Sequence, residues 1–99
     1  MFTGIIETIG TITKIETKGS NLTFSIKSTI TNELKVDQSV AHNGVCLTVE
    51  SIVGTTYTVT AIDETLHKTN AGNWKINDTI NLERCLQFNG RIDGHLVQG

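Results

Sequence analysis

The chain has 99 residues, 8 Lys and Arg against 10 Asp and Glu, and a net charge of −2, which describes one domain large enough to bury its own core. Its charges are scattered, with no basic stripe, so nucleic acid and anionic membranes are excluded as partners. No apolar run approaches a membrane span, and the opening Met1-Phe-Thr-Gly4 lacks the basic and apolar regions of a signal peptide, so a cytoplasmic protein with reduced Cys46 and Cys85 is expected.

Thr, Ile and Val together supply 35 of the 99 residues, a β-branched excess that favours strands over helices. The first strand is expected around Ile5 to Ile15, with Gly10 read as a bulge because Ile9, Ile12 and Ile15 are three apart. After a turn at Lys18-Gly-Ser-Asn21, Leu22, Phe24 and Ile26 alternate with Thr23, Ser25 and Lys27. Thr31 to Leu34 reads as a single helical turn, and Lys35 to Val40 as a polar turn returning into a strand. The next strand sets Val45, Leu47 and Val49 toward a core and Cys46 and Thr48 on the opposite face. Gly54 marks a turn, and Tyr57, Val59 and Ala61 form a further inward row. Asp63-Glu-Thr-Leu-His-Lys-Thr69 carries acid at its start and base at its end, which suits one or two helical turns. Trp74 reads as core or barrel-end packing. Lys75 to Ile80 echoes Lys35 to Val40, an echo that shared turn chemistry is enough to explain. Cys85, at a strand end, is given no role.

Proline is absent, so Gly, Asn, Asp and Ser must make the turns. About six short strands at this spacing fit closure better than a sandwich, because closure removes exposed edges. The expected fold is all-β: a small closed six-stranded antiparallel Greek-key barrel with a short helix, spanning residues 1–99.

The densest chemistry lies in Ser39-Val-Ala-His-Asn-Gly-Val-Cys-Leu-Thr-Val49, which gathers a hydroxyl, an imidazole, an amide, a thiol and a second hydroxyl around the Gly44 turn. Together with Met1-Phe-Thr-Gly-Ile-Ile6, Asp63-Glu-Thr-Leu66, Thr69-Asn70, Leu82-Glu-Arg84 and Gly94-His-Leu96, this block resembles the amino-terminal half of riboflavin synthase. The resemblance covers essentially the whole chain. It implies the first of two barrels, the second being absent from these residues. It also implies a reaction in which one molecule of 6,7-dimethyl-8-ribityllumazine passes a four-carbon unit to a second, giving riboflavin from the acceptor and 5-amino-6-ribitylaminouracil from the donor, with no metal or redox cofactor. Stacking of two rings and proton movement would supply the acceleration, across a site shared between barrels of neighbouring subunits. A trimer is implied for the two-barrel enzyme, a dimer for a lone half, and lumazine synthase as an associated protein.

On the matching residues the resemblance implies Ser39 and Cys46 as catalytic candidates. Ser39 would orient or provide the nucleophile, and Cys46 would lie against the ring as a polarisable contact or weak proton donor. A serine needs a base, and His42, the histidine of the motif, reads instead as a turn residue bonded to the backbone. Substrate binding is implied for Gly4, Ile5, Ile6, Cys46, Leu47, Thr48, Thr60, Ala61, Ile62, Asp63, Glu64, Thr65 and Gly99. Of these, Ile5, Ile6, Leu47 and Ile62 would give apolar faces, and backbone amides and threonine hydroxyls would match the carbonyl-rich edge of the ring. Thr48 and Thr65 also read as plain strand and helix-cap residues, and His95 as a solvated linker residue. The alternative function is a non-catalytic lumazine- or flavin-binding antenna or carrier. Such proteins tend to lose the Ser and Cys that this chain keeps.

Overall fold

The two-residue alternation becomes six strands with one face turned inward: β1 (Thr8–Lys18), β2 (Asn21–Lys27), β3 (Ser39–His42), β4 (Val45–Val53), β5 (Thr56–Ala61) and β6 (Thr79–Arg84). They are seen in a computed structural model that describes residues 4–85, so the expectations placed on His95 and Gly99 lie outside the described residues. Every neighbouring pair is antiparallel, and the ladder closes in the order β1-β2-β5-β4-β3-β6. Strands β3, β4 and β5 lie side by side in sequence order while β6 returns beside β3, which is Greek-key order. One short helix, α1 (Asp63–Lys68), follows β5. No helix among the described residues is long and apolar enough to cross a membrane.

Inside the barrel Ile12, Phe24, Ile26, Val40, Val49, Tyr57, Val59 and Leu82 are completely buried. Trp74 packs at 5.1 Å from Phe24 with the rings tilted by 59°, and so serves the core rather than a stacking platform.

The bulge expected at Gly10 falls instead between Ile12 and Lys14, while Gly10 itself pairs regularly with Ile80. Gly10 has a different reason to be small. A Cβ there would sit 2.7 Å from Ile26 Cγ2 and 2.9 Å from Leu82 Cδ1, closer than carbon atoms tolerate, so these core side chains use the space that a side chain would need.

The echo between Lys35–Val40 and Lys75–Ile80 is more than shared turn chemistry. Each segment follows a 3₁₀ turn, Thr31–Glu33 or Ala71–Asn73, that ends in a buried residue, Leu34 or Trp74. Each has one left-handed residue, Asp37 (φ 76°) or Asn77 (φ 79°). The Lys35 and Lys75 amides donate at 2.9 Å to Gln38 Oε1 and Asp78 Oδ2. Finally, Asp37 N–H reaches Val49 O at 2.8 Å, and Asn77 N–H reaches Ile12 O at 2.7 Å. Ile12 and Val49 stand at matching bulges in β1 and β4. Strands β1-β2-β3 and β4-β5-β6 are therefore two versions of one plan, related by a pseudo-twofold that maps the closed strand order onto itself.

Gly10→Ala is expected to destabilise the barrel by about 1–3 kcal/mol through overpacking. In urea unfolding this should appear as a lower midpoint at unchanged slope.

Candidate functional site

Strands β3 and β4 are joined by a two-residue turn, Asn43 and Gly44, both at positive φ (51° and 86°), the pairing that matches the twist of a tight hairpin. Asn43 is anchored from both sides: its N–H donates to Asn81 O, and its Oδ1 accepts the Asn81 N–H, each at 2.8 Å. The turn fixes the register Ser39↔Thr48, Val40↔Leu47, Ala41↔Cys46 and His42↔Val45. Since Val40 and Leu47 are buried in the core, alternation puts Ser39, Ala41, Cys46 and Thr48 on the outer face. Cys46 and Thr48 are exposed and Ser39 is half-buried. Cys46 is a free thiol.

The ladder places Ser39 directly opposite Thr48 and diagonal to Cys46. Diagonal neighbours across a strand pair are roughly 7–8 Å apart, too far for a serine–thiol hydrogen bond. At that separation the two groups do not activate each other directly.

His42 is not a turn residue and not a base for Ser39. It lies on the inward face of β3, completely buried, on the opposite side of the strand from Ala41. Its Nδ1–H donates to Val40 O at 2.9 Å, which leaves Nε2 to accept the Tyr57 hydroxyl at 2.8 Å. The expected bond to backbone is made, but from within the core. Burial pushes the imidazole down to about 4, while its backbone bonds oppose that shift, and burial also raises Tyr57.

Around the Ser39/Cys46/Thr48 patch the remaining candidates divide. Gly4, Ile5 and Ile6 are exposed, with Ile5 and Ile6 at 72% and 54%, and Gly4 is at φ 84°. On the other flank, Thr60 Oγ1 donates to Glu50 Oε1 at 2.8 Å and lies 2.7 Å from Thr23 Oγ1. With the Thr60 proton given to Glu50, Thr23 must donate to Thr60. Ile62, Asp63 and Glu64 are exposed and Thr65 is half-buried. The Asp63 amide is held by Asn21 Oδ1 at 3.1 Å, and Glu64 pairs with Lys68 at 2.8 Å. Thr65 lies within α1, whose N-cap is Ile62 with no side-chain cap bond, so the helix-cap reading of Thr65 does not hold. Leu47 and Ala61 need a correction as well. Their side chains are in the core, so Leu47 gives no apolar face to the outside, and both can offer a ligand only backbone.

The structure also assembles residues not assigned a role above. Arg84 grips the Glu7 carboxylate through Nε and Nη2 and reaches Glu33 at 3.0 Å. Hydrogen bonding from Arg84 holds Glu7 below the usual carboxylate range against partial burial. Next to it, Glu83 accepts the Gly4 N–H at 3.0 and 3.1 Å with its two oxygens. A cleft of about 670 Å³ opens here, lined by Ile5, Glu7, Gln38, Glu83, Arg84 and Cys85 among others. Ile5 is the one sequence-derived candidate on its wall. The Ser39 patch is thus a face beside this cleft, not its floor.

The lumazine binding domain profile matches residues 3–85. The chain belongs to that family. Riboflavin synthase of Actinobacillus pleuropneumoniae is 41% identical over the whole chain, and those of Bacillus subtilis and Escherichia coli are 39% and 38% identical. The chain spans about half the length of these relatives, 46%, 46% and 47% respectively. Among solved structures, LumP complexed with 6,7-dimethyl-8-(1′-D-ribityl)lumazine superposes with a TM-score of 0.82 at 26% identity, over 90% of this chain and 50% of that one. LumP complexed with riboflavin gives 0.79 at 27% identity, over 85% and 46%.

The buried imidazole makes the domain sensitive to acid. His42 stays neutral in the fold down to pH about 4, whereas an unfolded histidine takes up its proton near pH 6.5. Stability should be complete above pH 6.5 and decline by about 3 kcal/mol as pH falls through that window to 4. Urea midpoints measured across this range should fall for the wild-type chain. A histidine titrating normally by NMR at His42 would contradict the buried geometry.

Proposed function

We propose that this lumazine-binding domain is the amino-terminal half of a riboflavin synthase, a transferase, and holds one 6,7-dimethyl-8-ribityllumazine on its outer face. The observation that carries this reading is the register of β3 and β4, which brings Ser39, Cys46 and Thr48 to one accessible surface, in a chain whose whole length aligns with riboflavin synthases. The role fits the chemistry that such a surface can do. With no base bonded to Ser39 among the described residues, the hydroxyl serves better to orient water or ring atoms by hydrogen bonding than to attack unaided. Cys46 gives a polarisable contact. Thr48 and the exposed Gly4 to Ile6 segment offer polar contacts to the ring edge, Thr60, whose proton is held by Glu50, can offer an acceptor, and Ile5, Ile6 and Ile62 offer apolar contact. Gly99 belongs to the same proposal by sequence match alone.

Placing two rings face to face needs a second wall, so the domain alone is a half-site. Its complement would be a second barrel, in a trimer of two-barrel chains or a dimer of this one. The transfer of a four-carbon unit from one lumazine to an identical second one balances without an external oxidant, metal or redox cofactor. Two reduced thiols suit a cytoplasmic setting, where lumazine synthase would be an associated source of substrate.

A second reading is favoured by one finding: the LumP structures of the same fold hold lumazine, riboflavin and flavin mononucleotide. On that reading the domain is a non-catalytic antenna or carrier. Incubating the chain with 6,7-dimethyl-8-ribityllumazine while following ligand fluorescence and riboflavin absorbance together tests the binding that both readings require, and riboflavin formation would rule out the carrier reading. Quenching without riboflavin is expected of the half-site. Riboflavin formation would show that two copies complete the site, and silence in both signals would falsify the lumazine assignment. Ser39→Ala and Cys46→Ser should leave binding within about threefold, because each removes one contact worth on the order of 0.5 kcal/mol. If either abolished quenching, the patch would be the main binding determinant rather than a catalytic contact.

A further inference from the structure

Of the residues lining the expected binding face, Gly4, Ile5 and Ile6 are the least secured by regular structure, since they precede β1 and belong to no ladder. The segment is nevertheless tied at both ends by adjacent residues of β6. At its far end, Glu7 N–H donates to Leu82 O at 2.8 Å, and Arg84 clasps the Glu7 side chain. At its near end, both Glu83 oxygens take the Gly4 N–H. Glu83 is one residue from Leu82, whose partner His42 faces the core, so Glu83 stands on the outer face. Its ladder partner is Ala41, and the partner of Ala41 on the other side is Cys46. Glu83, Ala41 and Cys46 therefore form one rung across three strands, with the Gly4 amide fastened to its end. Strand spacing of about 4.8 Å puts that end roughly 10 Å from the β4 backbone, at the rim of the Ser39/Cys46/Thr48 patch.

We propose that Glu83 is a positioning residue for ligand binding: it captures the Gly4 amide and thereby holds the Gly4–Ile6 backbone on the outer face as one wall of the lumazine site. This rests on the lumazine reading given above. The chemistry explains the choice of residues. A carboxylate accepting an amide proton makes a charge-assisted bond stronger than a neutral one. Gly4 reaches φ 84° without the steric cost a Cβ would bring. The neighbouring Arg84 directs its guanidinium to Glu7 and Glu33. A segment held in advance loses less conformational freedom when a ring docks, so the clamp acts on affinity rather than on the fold.

The test compares the full chain with Glu83→Ala and Glu83→Gln, the second retaining an oxygen that can accept the Gly4 N–H. Two readings are taken on each: hydrogen exchange at the Gly4 amide without ligand, and the dissociation constant for 6,7-dimethyl-8-ribityllumazine by fluorescence quenching. Glu83→Ala is expected to speed Gly4 exchange and weaken binding, each by about five- to tenfold, with the thermal midpoint moved by no more than about 2 °C. Glu83→Gln should recover most of both. Faster exchange with unchanged affinity would overturn the positioning role, and so would a loss of affinity that tracks a large fall in midpoint. Unchanged exchange would overturn the clamp itself. If the wild-type chain bound no lumazine while Gly4 remained protected, the functional reading would fail and Glu83 would be left as a structural contact only.

Discussion

Strand β3 is four residues long, and the rest of the barrel depends on it. It pairs with β4 on one side and β6 on the other, so without it the sheet would be open. Its two faces do different work. Val40 and His42 enter the core, where the imidazole links the Val40 carbonyl to the Tyr57 hydroxyl on the far wall. Ser39 and Ala41 remain outside, opposite Thr48 and Cys46. A slip of one residue in this strand would send the imidazole out and the serine in. The Asn43-Gly44 turn and the paired bonds from Asn43 to Asn81 prevent that slip, and so the same few interactions that close the barrel also set the chemistry of its surface.

Buried polar groups usually weaken a small core unless each finds a partner. The His42–Tyr57 pair meets that condition with one proton per bond, and its direction is fixed by the carbonyl at Nδ1. A phenylalanine and a leucine would fill the space as well. The polar pair does what they could not: it ties β3 to β5 across the interior with an oriented bond. On the outside, Thr23, Thr60 and Glu50 make a second oriented chain over β2, β5 and the β4 bulge.

Most of the fold was legible because alternation is a strong signal when half of each strand is buried. Leu22 to Lys27, Val45 to Glu50 and Tyr57 to Ala61 read correctly for that reason, as did the acidic start and basic end of α1. Gly10 was misread because a glycine inside a strand signals either a bulge or close packing, and sequence alone does not show what approaches it. The likeness of Lys35–Val40 to Lys75–Ile80 was visible but undervalued, since its meaning rests on hydrogen bonds to Val49 and Ile12 that no local pattern contains. The shared face of Cys46 and Thr48 was legible from parity along β4, while Ser39 joins them through the β3–β4 register. The destination of His42 was not, because residues flanking a tight turn break the visible alternation. Glu83 and Arg84 were visible within a motif, but their grip on Gly4 and Glu7 joins opposite ends of the described chain, and no spacing rule connects them.

The order of strands also has a consequence for how the molecule comes together. Hairpins β1–β2, β3–β4 and β4–β5 join neighbours in sequence, but β6 is the partner of both β1 and β3. During synthesis the chain therefore exposes two unpaired edges until Thr79–Arg84 has emerged, a state in which pairing with another chain competes with closure. Long-range closure of this kind is slow relative to hairpin formation. Of the strands in this barrel, the last to leave the ribosome is the one that ends the hazard, and the same strand carries the residues that then gather in the segment before β1.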